Sequence, residues 1–205
     1  MAEKHLTCVD CPSNACGKPG ATLPSFCLGK GFSLLDTPEL VASMEEQRNA
    51  RIYRSAAHSA HVGHSWKLDR LHETILFAQG YGAEKIGVAS CISCAAEARF
   101  AVKELREAGF TVVGAICKVG CLTCEQTGVP LEARSPETRL CNPIYQAQLL
   151  NAERTDLNVV IGLCVGHDAL FLKYADAPCT VLATKDFKFG KDNAPCLQEA
   201  SAFAN

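Results

Sequence analysis

The chain has 205 residues, 48% of them hydrophobic and 20% charged, with a formal net charge of −2, enough sequence for one sizeable core. Its balanced charge leaves no electrostatic footprint for nucleic acid, and no uninterrupted apolar run reaches membrane-spanning length. The opening residues, MAEKHLTCVD, lack the apolar stretch of a signal peptide, so a cytoplasmic location is expected.

Thirteen cysteines are unusual for that compartment. A reducing cytosol keeps thiols free, and the odd count does not favour a disulfide framework. Ligation of a metal or cluster is the better account.

Residues 1–35 read as a small irregular cysteine-rich module. Cys8-x2-Cys11-Pro12, Cys16-Gly17 and Cys27 stand among Pro, Gly, Ser and Asn, with few apolar residues to bury. Such a segment needs a staple. Its four thiols, Cys8, Cys11, Cys16 and Cys27, are candidate metal ligands. They can close around one zinc or hold the corners of a 4Fe–4S cluster. Zinc ribbons pair two close knuckles, which the gap from Cys16 to Cys27 does not supply, so the iron–sulfur cluster is the first choice and zinc the alternative.

Residues 36–205 read as an α/β domain. Asp36-Thr37-Pro38-Glu39 carries a cap, an early proline and a first-turn carboxylate. It predicts a helix from Pro38 to about Ala60, with Leu40, Val41, Met44, Ile52 and Ala56 on its apolar side. His58, His61 and His64 follow at three-residue intervals. His58 and His61 could share a helical face and bind a metal, with Gly63 ending the helix before His64, but a solvated histidine face is the first reading. A second helix is predicted over Trp66–Gln79 with Gly80 as its stop, and His72 lies beside its apolar stripe.

The stretch from Lys85 to Cys124 is strand, cysteines, helix, strand, cysteines. Ile86 and Val88 lead a short apolar run that ends at Cys91 and Cys94. A helix over Ala95–Ala108 stops at Gly109, and Phe110–Ile116 runs into Cys117, Cys121 and Cys124. A βαβ unit makes a right-handed parallel crossover, so both strand ends face one edge of the sheet, where ligands sit in open α/β folds. After a polar loop over 118–136, Asn142-Pro143 opens another helix with Cys141 just before its cap. The theme returns at Leu157–Leu163, ending in Cys164-Val-Gly166-His167-Asp168 and a short helix through Lys173. A last strand, Cys179–Thr184, runs into Lys185-Asp186. No phosphate-cradling glycine loop is present, so nucleotide binding is not expected.

The fold class is therefore α/β, a mostly parallel Rossmann-like sheet with flanking helices behind the cysteine-rich module. Cys91, Cys117, Cys141 and Cys164 each sit where a strand ends or a helix begins, and all four can converge on one cofactor. The bland alternative for any one of them is a buried structural cysteine. Lys118, His167 and Asp168 follow them in register, as does the Lys185-Asp186 pair. Cations beside thiolates stabilise their charge, and His167 or Lys118 could move protons. A helix cap and a surface ion pair are the structural readings of His167-Asp168 and Lys185-Asp186. A competing reading is dithiol exchange through Cys91-Ile-Ser-Cys94 at a helix start, as in thioredoxin-like proteins.

These motifs together resemble the DUF1847 family of metal-binding proteins. The likeness rests on the cysteine-rich start, IGVASC at Cys91, GFTVVGAICKVG at Cys117-Lys118, CNPIYQAQLLN at Cys141 and GLCVGHDALFLKYADAPCTVLATKD from Cys164 to Asp186. It implies metal binding and no particular reaction. Positions 94, 121 and 124 are not usually cysteine in that family, which marks those thiols as additions. The expectation is an iron–sulfur protein with one cluster on the N-terminal quartet and a second metal or cluster at the sheet rim. That rim would serve redox or desulfurating chemistry on a small molecule, with an electron donor protein as partner and with neither nucleic acid nor membrane. A non-catalytic zinc protein and a thiol–disulfide oxidoreductase are the alternatives.

Overall fold

Alternating apolar strands and amphipathic helices build a four-stranded sheet whose strands all run parallel. The computed structural model describes residues 6–11, 16, 18, 20–29, 38–61, 67–129 and 135–186. The expected cap at Asp36-Thr37, Gly63, His64, the helix start at Trp66, Pro130 and the tail from Lys188 through Cys196 lie outside those residues. The chain forms two compact units, Met1–Tyr53 and Arg54–Asn205. Among the described residues no helix is long and apolar enough to cross a membrane.

In the first unit, a single 3-10 turn at Cys8–Asp10 is closed by the Thr7 amide donating to Asp10 Oδ2 at 2.9 Å and the Cys11 amide donating to the Cys8 carbonyl at 3.2 Å. Helix α1 follows at Pro38–Glu45, and α2, Gln47–His61, begins in this unit and ends in the second. The single helix expected from Pro38 is thus broken at Glu46. The Asn49 side-chain amide donates to the Ser43 carbonyl at 2.8 Å, so a polar side chain competes with the helical ladder there. Leu40, Val41 and Met44, expected on a buried side, are exposed.

In the second unit, α3 covers Arg70–Tyr81. It starts later than expected because Asp69 is the cap, accepting from the His72 amide at 2.9 Å. It also ends later. Gly80 is inside the helix, where a β-carbon would meet Ser55 Oγ, and Gly82, at φ +74°, makes the left-handed stop. The sheet then runs β1 (Lys85–Ser90), α4 (Ala95–Glu107), β2 (Thr111–Ile116), α5 (Cys124–Thr127), α6 (Pro143–Ala152), β3 (Leu157–Ile161), α7 (Val165–Tyr174) and β4 (Cys179–Ala183). The limits of β1, α4, β2, α6, β3, α7 and β4 agree with the sequence reading to within about two residues, the usual uncertainty of an element end, whereas α5 is a short helix, capped by Thr123, inside the stretch expected to be a polar loop.

Strand order is β2-β1-β3-β4. The chain steps from β1 to one neighbour, β2, then crosses back over β1 to the other, β3. Right-handed crossovers put α4 on one face and α6 and α7 on the opposite one. The core between these layers is mostly apolar. Ile86, Val88, Val159, Val160 and Ile161 on the strands meet Leu71, Leu105, Leu150 and Phe171 on the helices, all buried. The reversal of direction between β1 and β3 opens the crevice at which α/β sheets bind ligands.

Candidate functional site

Each of the four parallel strands delivers one chemically active side chain to the same rim. Cys91 follows β1 directly, Cys117 follows β2 directly, Cys164 stands three residues beyond β3, and Lys185 two residues beyond β4. Cys141 joins them from the residue before the Asn142 cap of α6. The Asn142 side chain accepts from the Tyr145 amide at 3.0 Å and donates to the Gly120 carbonyl at 2.8 Å, while its own amide donates to the Cys117 carbonyl at 2.9 Å. Those three bonds hold the α6 start against the end of β2.

The sulfurs form a chain. Cys141 Sγ is 3.5 Å from Cys117 Sγ, which is 4.0 Å from Cys91 Sγ. Lys185 Nζ donates to Cys91 Sγ at 2.7 Å and to Cys164 Sγ at 3.5 Å, bridging the two strands that flank the reversal. Two more donors reach these sulfurs: the Ile92 amide to Cys117 Sγ at 3.3 Å and the Ser93 amide to Cys91 Sγ at 3.5 Å. The Ser93 hydroxyl is 3.1 Å from Cys91 Sγ.

The environments push the thiols apart. Burial alone would raise the Cys91 thiol, but the Lys185 ammonium and the Ser93 hydroxyl and amide more than offset it and bring it down to about 7. Cys117 is pushed up to about 12 by burial, with the neighbouring Cys141 and Cys91 sulfurs adding to the effect. At neutral pH the rim therefore holds a partly ionised sulfur beside a protonated one. His167 is pulled down by burial and by the positive charges of Lys185 and Lys118, which favour its neutral form. Burial raises Asp168, which Lys185 only partly opposes, and its Oδ1 is buried with no hydrogen-bond partner among the described residues.

The sequence-predicted residues fall into two groups. Cys91, Cys117, Cys141 and Cys164 are brought together, and His167 and Asp168 stand within the electrostatic reach of the same lysine. Lys118 turns its ammonium to the Arg139 carbonyl at 2.7 Å, tying down the loop while its charge reaches His167. The additional thiols go elsewhere. Cys94 is buried against Gly162, Cys121 accepts from Arg139 at 3.5 Å, and Cys124 is buried in the first turn of α5. His72 pairs with its own helix cap, Asp69 Oδ2, at 2.8 Å, and His58 and His61 are exposed.

Sequence reasoning passed over two contributors. Ser93 was visible only as a spacer between Cys91 and Cys94. Gln146 is fully buried in α6, and its amide donates to the Ala115 carbonyl at 2.7 Å and the Ser90 carbonyl at 3.2 Å. That clamps the ends of β1 and β2 one residue or two before their cysteines. The only signal for it was a glutamine among the apolar residues of IYQAQLL.

In the N-terminal unit, Cys8, Cys11, Cys16 and Cys27 line one cavity of about 140 Å³ together with Leu23, Pro24, Phe26 and Gly29. Four thiols on an otherwise apolar wall suit a soft metal or a cluster and leave little room for water. At the rim, two thiolates on one tetrahedral ion would stand about 3.8 Å apart for a metal–sulfur bond of about 2.3 Å. The two sulfur–sulfur spacings there bracket that value. Every described cysteine is a free thiol. Among the described residues no three His, Cys, Asp or Glu side chains are gathered into a group that could hold a metal ion.

Comparison with known proteins agrees with the family and adds no reaction. The chain is 35% identical over 150 residues to the uncharacterized protein MJ0455 of Methanocaldococcus jannaschii, an alignment covering 73% of this chain and 77% of that protein. No solved structure matches it. The pattern of DUF1847, described as a protein of unknown function, matches residues 34–182, which include the four rim cysteines and leave Cys8, Cys11, Cys16, Cys27 and Lys185 outside. The chain is therefore a cysteine-rich member of the DUF1847 family.

Proposed function

We propose that this is a metal-binding protein with two thiolate sites, the N-terminal quartet holding an iron–sulfur cluster of the 4Fe–4S type and the sheet rim holding a second metal or cluster. The observation that carries the reading is the convergence of Cys91, Cys117, Cys141 and Cys164 from four separate segments onto one rim with a lysine among them. Packing alone gives no reason for strand after strand to end in a thiol at the crevice. A bound cluster would supply reversible one-electron transfer. Around it, Lys185 and Ser93 would hold sulfur charge, and His167 or Lys118 would pass protons from solvent to a small molecule docked at the rim. An electron donor protein and a small-molecule substrate, reduced or desulfurated, are the partners this reading implies.

Anaerobic purification followed by a visible spectrum and iron, zinc and sulfide content tests the reading directly. Brown protein with matched iron and sulfide is the expected result. Cys164→Ala and His167→Ala that left the rim metal and any cluster-dependent reaction intact would sink the rim assignment. Zinc is the second reading, favoured by rim sulfur spacings close to a tetrahedral edge. It predicts a colourless protein with stoichiometric zinc even after cluster reconstitution is attempted. Dithiol exchange is the third. The sulfur in contact with Cys91 is that of Cys117, so in metal-free protein its exchange should depend on Cys117.

A further inference from the structure

The thiols account for the ligands of the rim but not for the side chain at its centre. Lys185 follows β4, the edge strand, and its stem passes over the end of β3 to reach the end of β1. Its ammonium then touches two sulfurs that belong to different strands, Cys91 Sγ at 2.7 Å and Cys164 Sγ at 3.5 Å. Those two cysteines stand on either side of the strand-order reversal, so the lysine spans the mouth of the crevice. The side chain is half buried.

We infer that Lys185 is the positioning residue of the rim: it draws Cys91 and Cys164 together across the crevice and keeps donating to both sulfurs when they close on a soft metal ion. This rests on the metal-binding reading above. The physical reason is charge. Gathering several thiolates around one divalent ion leaves an anionic complex, and a partly buried anionic complex needs a nearby cation and N–H donors to its sulfurs. Among the hydrogen-bond donors described at this rim, Lys185 is the cationic one that reaches two of the four sulfurs, whereas Ile92 and Ser93 serve one each. The Lys118 ammonium is committed to the Arg139 carbonyl.

The test uses the full-length reduced chain, stripped of metal under anaerobic conditions and titrated with zinc(II) buffered by a competing chelator. Protection of the Cys91 and Cys164 peptides from alkylation is read by mass spectrometry, which separates the rim from the N-terminal quartet. Lys185→Met should raise the zinc activity needed for half-protection of those peptides by 10- to 100-fold, the usual loss on removing a partner outside the ligands. Protection of Cys8, Cys11, Cys16 and Cys27 should not move. Lys185→Arg, which keeps the charge and two-sulfur donation, should recover most of the loss, and that recovery distinguishes positioning from a general defect in folding. Unchanged or tighter zinc protection in Lys185→Met would overturn the inference and leave the metal site standing. If the wild-type rim cysteines are never protected at any zinc activity, the metal-ion reading itself falls.

Discussion

Gly162 offers a perturbation whose cost can be worked through. It follows β3 at φ +61°, its amide donates to the Ala183 carbonyl at 2.8 Å, and from it the chain turns toward Cys164. A β-carbon there would run into Cys94 Sγ, with Cys94 Cβ 3.2 Å away. Gly162→Ala therefore carries two costs. The left-handed backbone costs a non-glycine residue about 1–2 kcal/mol. Forcing a methyl into the sulfur of a side chain that is 2% exposed adds about 1–3 kcal/mol. The sum is about 2–5 kcal/mol, to be measured by urea unfolding of reduced, metal-free protein. Cys94→Ala should cost on the order of 1 kcal/mol alone, yet in the Gly162→Ala background it should relieve the clash and leave mainly the backbone term. A double-mutant cycle should thus show coupling of at least about 1 kcal/mol. Simple additivity would refute the packing of Cys94 on Gly162, and with it the assignment of Cys94 to structure rather than exchange.

Three further outcomes are expected. In metal-free protein Cys91 should alkylate with a pH midpoint of about 7 that moves upward in Lys185→Met, while Cys94 and Cys179, both raised by burial, label only slowly until the chain unfolds. Asp168→Asn should stabilise the protein at neutral pH: burial raises the folded carboxyl above its ordinary 3.8, so the folded state binds more protons and stability falls as pH rises through that window. The gain should vanish below the unfolded value, and a pH series of urea midpoints checks it; equal gain at every pH would remove the carboxylate's charge as the cause. Asn142→Ala removes the α6 cap and the tie to Gly120 and should cost about 1–2 kcal/mol, read as a lower urea midpoint.

Much of this architecture was legible in the sequence because its signals are local. Apolar runs ending in cysteine at 91, 117 and 164 fixed the strands, their parallel sense and the edge to which they point. Asn142-Pro143, a cap residue followed by a proline in the first turn, marks the start of α6 locally. What escaped depends on side chains meeting across space. The break at Glu46 needs Asn49 to reach back to Ser43, and the extension of α3 through Gly80 needs Ser55 to pack where a β-carbon would stand. Lys185 could be placed in register with the thiols from sequence, but its contact with two of them depends on β4 lying next to β3 and not elsewhere in the sheet. Ser93 and Gln146 carried no periodic signal at all, since each acts through backbone or sulfur atoms brought near by the fold.

The strand order has a consequence for how the two cysteine groups come into being. Cys91, Cys117 and Cys164 belong to three different strands, and the central one pairs with a strand whose register partners are some seventy positions away in sequence. Closing so long a loop is slow and entropically costly. No ion that requires those three sulfurs together could be captured until the sheet has formed, so occupancy of the proposed rim site would report a formed sheet. Cys8, Cys11, Cys16 and Cys27 lie within one short segment, and capture there needs only the closure of small loops. A chain emerging from synthesis would present the first set early and the second last, so that under the proposed metal-binding reading the two groups of thiols would meet metal at different stages of folding.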